Sequence, residues 1–153
     1  MAIWKKQATL ADLNELCSGT MCEHVGLVIT ELGDDYLKAT MPVDERTRQH
    51  MGIIHGGASV VLAETIGSIA SGLCCPEGQY VVGLDINANH IRAGKPPYVT
   101  GIARPLHIGS TTMVWEIRIH DVDDKLVCIS RLTCAVLKER SDRAADKSTD
   151  TSN

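Results

Sequence analysis

The chain has 153 residues, of which 44% are hydrophobic and 22% charged, a balance that suits one globular domain and excludes wholesale disorder, collagen-like and coiled-coil architectures. Fifteen basic against nineteen acidic residues leave a formal charge of −4, so the broad basic field that wraps nucleic acid is absent. The aromatic residues are Trp4, Tyr36, Tyr80, Tyr98 and Trp115, too few for a platform on which single-stranded bases stack.

Thr9 before Leu10, Leu13 and Leu16, with Asp12 in the first turn, predicts a short capped helix. Val25 to Glu31 reads as a strand, and Gly33-Asp34-Asp35 as a turn. Leu37, Ala39, Met41 and Val43 then alternate with polar residues, a half-buried strand that closes a hairpin. Ala58 to Leu73 is a long run of small and apolar residues, read as a helix apolar nearly all round and therefore buried.

Four strand-like segments follow. In Val81 to Arg92, Val82, Leu84, Ile86 and Ala88 are expected on one face, with Asp85, Asn87 and Asn89 on the other. Segments near Tyr98–Leu106, Met113–Asp121 and Lys125–Leu137 continue the pattern, with Asp121-Val122-Asp123-Asp124 as the last turn. The expected class is α+β, with about six antiparallel strands curved around one long helix. The domain is expected over residues 1–138. Residues 139–153, mixed in charge and almost without apolar side chains, read as a disordered polar tail.

No apolar run reaches the roughly 18 residues of a membrane span. The start, Met1 to Lys6, lacks the apolar stretch of a secretory signal, so a cytoplasmic protein without a membrane partner is expected. Cys17, Cys22, Cys74, Cys75, Cys128 and Cys134 form no C-x-x-C and have no zinc spacing. They read as free thiols of a reducing compartment, and no metal site is expected.

One residue conflicts with its surroundings. Glu64 is the only ionisable side chain between Ala58 and Leu73, and a buried unpaired carboxylate costs several kcal/mol. It is expected to be paired, with Arg92, Arg104 or Arg131 available, or else functional. Val60 and Ser68 lie one turn away on its side, and Gly67 and Ser71 lean that way, a narrow stripe with room for a ligand. Gly56-Gly57, just before the helix, allows unusual backbone angles and close ligand approach. The first N–H groups of a helix lack intrahelical partners and can polarise a developing oxyanion. His55 beside them reads as structural, or as orienting Gly56 or a substrate carbonyl. Gln49 could hold a water or close a turn. His90 and Arg92, at the end of their strand, could bind an anion or lie exposed.

At these residues the sequence resembles the hotdog-fold acyl-CoA thioesterases, in the phenylacetate-type branch that carries a carboxylate on the central helix. Within that branch it is similar to the small bacterial thioesterases of menaquinone biosynthesis and enterobactin proofreading. The resemblance runs from about Ile3 to Leu137 and rests on MPVDERTRQ, HGGASVVLAETIGS, VVGLDINANHIR and RPLHIGS. It implies a dimer with active sites between subunits, two dimers joined as a homotetramer, an acyl-CoA substrate with an aromatic or bulky acyl group, and no cofactor.

Carried over by motif, Glu64 would be the catalytic nucleophile or base, and the Gly56 amide would polarise the thioester carbonyl. His55 and Gln49 would support the carbonyl, the sulfur or a water. Ser68 would orient water near Glu64, and His90, Arg92 and Ser110 would contact CoA. His50 and Thr111 depart from the pattern, at the acyl-pocket rim and at a phosphate contact respectively. A non-catalytic acyl-CoA binding module and a hotdog dehydratase or hydratase are the alternatives.

Overall fold

The computed structural model describes residues 1–139. All of the expected tail but Glu139 lies outside the described residues. The elements in chain order are α1 (Leu10–Glu15), α2 (Met21–His24), β1 (Val28–Leu32), β2 (Leu37–Pro42), α3 (Gly56–Cys74), β3 (Gln79–His90), β4 (Tyr98–Ile108), β5 (Thr112–His120) and β6 (Leu126–Lys138). The α1 cap is reciprocal: the Asp12 N–H donates to Thr9 Oγ1 at 3.2 Å, and the Thr9 N–H donates to Asp12 Oδ2 at 2.8 Å. The Thr9 N–H and then the Thr9 hydroxyl hold the Asp12 carboxyl below its ordinary pKa.

The expected strand from Val25 begins three residues late, because a second helical turn precedes it. Thr20 caps α2 by accepting from the Cys22 N–H, and Glu23 Oε2 accepts from the Gly19 N–H at 2.6 Å. Thr20 and Glu23 have capping-box spacing, which was the available sequence signal for this turn. Gly26 then takes a left-handed φ of +72°, where a side chain would be strained, and turns the chain into the sheet.

The six strands form one antiparallel sheet in the order β1-β2-β4-β5-β6-β3. β3 therefore crosses to the far edge and pairs on one side only, with β6. The inner face carries the apolar sets expected by alternation. Leu37, Ala39 and Met41 of β2 and Met113, Trp115, Ile117 and Ile119 of β5 are buried, as are Cys128 and Cys134 on a shared face of β6. They pack against Leu62, Ala63, Ile66 and Ala70 of α3. Trp4 of the N-terminal segment stacks on Trp115, with ring centroids 6.3 Å apart, and its Nε1–H donates to Gly33 O.

Two readings of the centre need correction. First, α3 is long and apolar enough by composition to cross a membrane, yet only its sheet side is buried. Its other side is half-exposed, and Glu64 on it is exposed. Second, the expected single face of Val82, Leu84, Ile86 and Ala88 is split by a bulge between Gly83 and Asp85. Gly83 lies opposite buried Cys134 and Ile86 opposite buried Leu132, so two residues, not one, separate these inward positions. Val81, Ile86 and Ala88 pack on the core, whereas Val82 and Leu84 point away from it.

Candidate active site

The first turn of α3 is capped by an imidazole. His55 is the N-cap, and its Nδ1 accepts from the Gly57 N–H at 2.8 Å. The N–H groups of Ala58 and Ser59 both donate to His55 O, at 2.9 and 3.2 Å. Among the described residues this leaves the Gly56 N–H as the unbonded donor of the turn. An Nδ1 that accepts carries no proton, so the His55 ring is held as the tautomer with its N–H at Nε2. His55→Ala is expected to cost about 1 kcal/mol through loss of the cap. A fall in melting temperature of roughly 2–4 °C in a thermal scan checks this.

The glycine pair is not there for unusual backbone angles, since neither residue has a positive φ. A Cβ on Gly56 would sit 2.7 Å from Nε2 of His90, and one on Gly57 would sit 3.0 Å from Nδ1 of His55. Both positions are kept bare so that two imidazoles can lie against the helix start. Gln49 stands across from them. Its side-chain oxygen accepts from the Met51 N–H, the turn hydrogen bond anticipated as one alternative, which leaves its amide N–H groups free.

Gln49, Gly56, His90 and Arg92 line one cavity of about 200 Å³, together with Ser59 and an apolar wall that includes Ile54. Arg92 lies beyond the end of β3 and donates to Leu126 O at 3.1 Å, with its side chain exposed. Four of the expected site residues thus meet at the start of the helix, with His55 beside them.

Glu64 and Ser68 open onto a second cavity, of about 430 Å³, whose wall includes Leu16, Met21, Cys22 and Val61. The expectation of a dry carboxylate fails for the single chain: Glu64 is exposed. The Arg pairings considered for it are also not made. Among the described residues Glu64 forms no ion pair, while Arg104 binds Asp35 at 2.7 Å. Glu64 lies against the bulged strand instead, where a Cβ on Gly83 would be 3.1 Å from its Oε1.

Gly67 does not make room for a ligand. A Cβ there would meet Leu132 at 2.6 Å, so its smallness serves packing of helix on sheet. Ser71 is likewise buried. Beneath them burial raises the Cys134 thiol, the neighbouring Ser71 and Ser68 hydroxyls oppose that rise, and Glu64 adds to it. The cavity wall supplied by Met21 and Cys22 escaped the sequence reading because no element was expected between Leu16 and Val25, where α2 lies.

The two cavities are separate. Gly56 and Glu64 are eight residues apart, about 12 Å along the helix axis. Ser110 is further removed. It sits in the β4–β5 turn, where the Val136 N–H donates to Thr111 O, whereas His90 pairs with Cys128. Eight residues of strand separate Cys128 from Val136, about 26 Å. One chain therefore brings Gln49, His55, Gly56, His90 and Arg92 together, and Glu64 with Ser68, but not the two groups with each other, nor Ser110 with either.

Residues 51–128, which span the glycine pair, α3, the bulged strand and most of the sheet, match the thioesterase superfamily. The 1,4-dihydroxy-2-naphthoyl-CoA hydrolase of Escherichia coli is 52% identical over 135 residues, covering 88% of this chain and 99% of the relative. The proofreading thioesterase EntH of Cronobacter sakazakii is also 52% identical over 135 residues, covering 88% and 98%. A crystal structure of a thioesterase from Haemophilus influenzae, classed EC 3.1.2.-, superposes with a TM-score of 0.87 at 51% identity, covering 89% of this chain and 95% of that one. The chain belongs to the thioesterase superfamily, in its hotdog fold. It is a thioester hydrolase, as the resemblance of its motif blocks implied.

Proposed function

We propose that the protein hydrolyses an aromatic or otherwise bulky acyl-CoA to the free acid and CoA, with Glu64 as the catalytic carboxylate. The observation that carries this reading is the complementary pair on α3: among the described residues, one unbonded main-chain donor at Gly56 and one carboxylate without a cationic partner at Glu64. The Gly56 N–H, backed by the helix dipole, suits the oxygen of a thioester carbonyl as it gains charge. Glu64 attacks the carbonyl carbon or takes the proton of an attacking water, and Ser68, a turn away on the same cavity, orients that water. His55 and Gln49 donate to the carbonyl, the sulfur or the water from their remaining N–H groups. The name of the E. coli relative, a 1,4-dihydroxy-2-naphthoyl-CoA hydrolase, supports an acyl-CoA of this kind.

The site is proposed to be completed between two subunits. β3 is a 12-residue strand with one unpaired edge, and it exposes Tyr80, Val82 and Leu84. Such an edge is a template for pairing with another chain. Pairing with a second β3 about a two-fold axis runs the strands antiparallel and brings the partner subunit's His90 end beside this chain's Gln79 end. The helix start packed against that end then approaches Glu64, whose carboxylate lies over Gly83. Contact with the partner would also remove Glu64 from water. Two dimers joining as a tetramer leave the outer sheet face, with its exposed Leu106, as the second contact. The CoA nucleotide is assigned to His90 and Arg92, with Ser110 contributed from another subunit. A cytoplasmic location accords with six free cysteines.

The test is hydrolysis of an acyl-CoA panel spanning benzoyl, hydroxybenzoyl, naphthoyl, short and long aliphatic acyl groups, read by a thiol reagent. Aromatic and bulky substrates are expected to give kcat/KM at least tenfold above the short aliphatic ones. Binding without thiol release would replace the reading with a binding module. Absorbance change on a 3-hydroxyacyl-CoA, with no thiol released, would replace it with a dehydratase.

A further inference from the structure

Thr47, Ser59, Ser71 and Ser130 are the almost fully buried polar side chains among the described residues. Three of these hydroxyls donate to a main-chain carbonyl: Thr47 to Pro42 O at 2.5 Å, Ser71 to Gly67 O at 2.8 Å and Ser130 to Asn87 O at 2.7 Å. The Ser59 hydroxyl has no partner. Ser71 is an internal control, because it sits on the same helix at the same burial and turns back four residues to a carbonyl. The equivalent acceptor for Ser59 is His55 O, which already receives two N–H groups. A buried hydroxyl without a partner destabilises the fold, and Ala would be the better helix former at this position.

Ser59 lines the cavity at the helix start, three residues inward from Gly56. Of the lining residues Arg92 is exposed and Ser59 is buried. The walls include Ile53, Ile54 and Val127, which suit methylene groups. Beside the polar Gln49, His90 and Arg92, the lining is thus mainly apolar, and Ser59 contributes its one hydroxyl, which can both donate and accept.

We propose that Ser59 is a substrate-binding residue whose hydroxyl hydrogen-bonds the pantetheine amide nearest the thioester sulfur. That amide is two methylenes from the sulfur and offers one donor and one acceptor, which matches the apolar wall and the lone hydroxyl. Holding it sets the carbonyl against the Gly56 N–H. This inference rests on the thioesterase reading.

The test compares wild type, Ser59→Ala and Ser59→Cys on two substrates with one aromatic acyl group. One is the N-acetylcysteamine thioester, which keeps the amide. The other is a butanethiol thioester, which lacks it. Both variants are expected to lose about tenfold in kcat/KM on the first substrate and to match wild type on the second. Ser59→Ala is also expected to melt no lower than wild type. Equal rates on both substrates, or equal losses on both, would overturn the assignment, as would a lowered melting temperature that tracks the loss. Wild type inactive on both thioesters and on acyl-CoA would instead sink the thioesterase reading itself, so the two failures are distinguishable.

Discussion

Replacing Glu64 with Gln is expected to lower kcat on an aromatic acyl-CoA by about 10³-fold, with the oligomer and the melting temperature unchanged. The substitution keeps the shape of the side chain and removes only its charge and basicity. Stability should hold because Glu64 makes no ion pair among the described residues and its side chain is exposed in the single chain. The loss follows from chemistry that nothing nearby can replace. Of the other groups on that cavity, Ser68, Thr65 and Cys22 lack a carboxylate, and Cys22 is engaged with Thr65 at 3.4 Å. Thiol release under saturating substrate, with light scattering for assembly, reads the result. Turnover within tenfold of wild type would remove Glu64 from the mechanism.

The second large effect is complementation between two inactive variants. Gly56→Val forces carbon into the space of His90, whose Nε2 lies 2.7 Å from the position of a Cβ, and is expected to lose at least about 10²-fold through the carbonyl site. If Glu64 of one chain serves the helix start of its partner, a heterodimer of Gly56→Val and Glu64→Gln chains holds one intact site and one with both lesions. Random mixing by joint refolding makes about half the dimers mixed, so activity should return to about a quarter of wild type. Separately refolded and then combined samples should stay inactive until subunits exchange. No recovery in verified heterodimers would put both groups in one chain's site. The roughly 12 Å between Gly56 and Glu64, and their separate cavities, argue against that.

Much of the fold was legible because alternation and capping are local. Leu37, Ala39 and Met41, and Met113 through Ile119, alternate with polar neighbours, and the sheet buries them. Thr9 and Asp12 announced α1, and the long apolar run announced α3. The candidate site residues were singled out through the conflict of Glu64 with its neighbours and through the motif blocks around it. The failures share a cause. The bulge at Leu84 is one extra residue whose effect is visible only against the register of β6. The glycines at 56 and 67 looked like flexibility or ligand room, but each is small because a side chain distant in sequence, from His90 or Leu132, lies against it.

What the sequence by itself determined is the class of protein: an α+β chain with an acid on a central apolar helix, a glycine pair at the helix start, and motif blocks particular to one group of hydrolases. Periodicity, composition and motif spacing are properties of neighbours along the chain, so they survive without coordinates. The tertiary structure alone decided that β3 lies at a sheet edge with one side open, that Glu64 is exposed and apart from Gly56, and that Ser59 is the buried hydroxyl without a partner. Each of these depends on which distant segments pack together, and packing is set by the whole core at once rather than by any window of sequence.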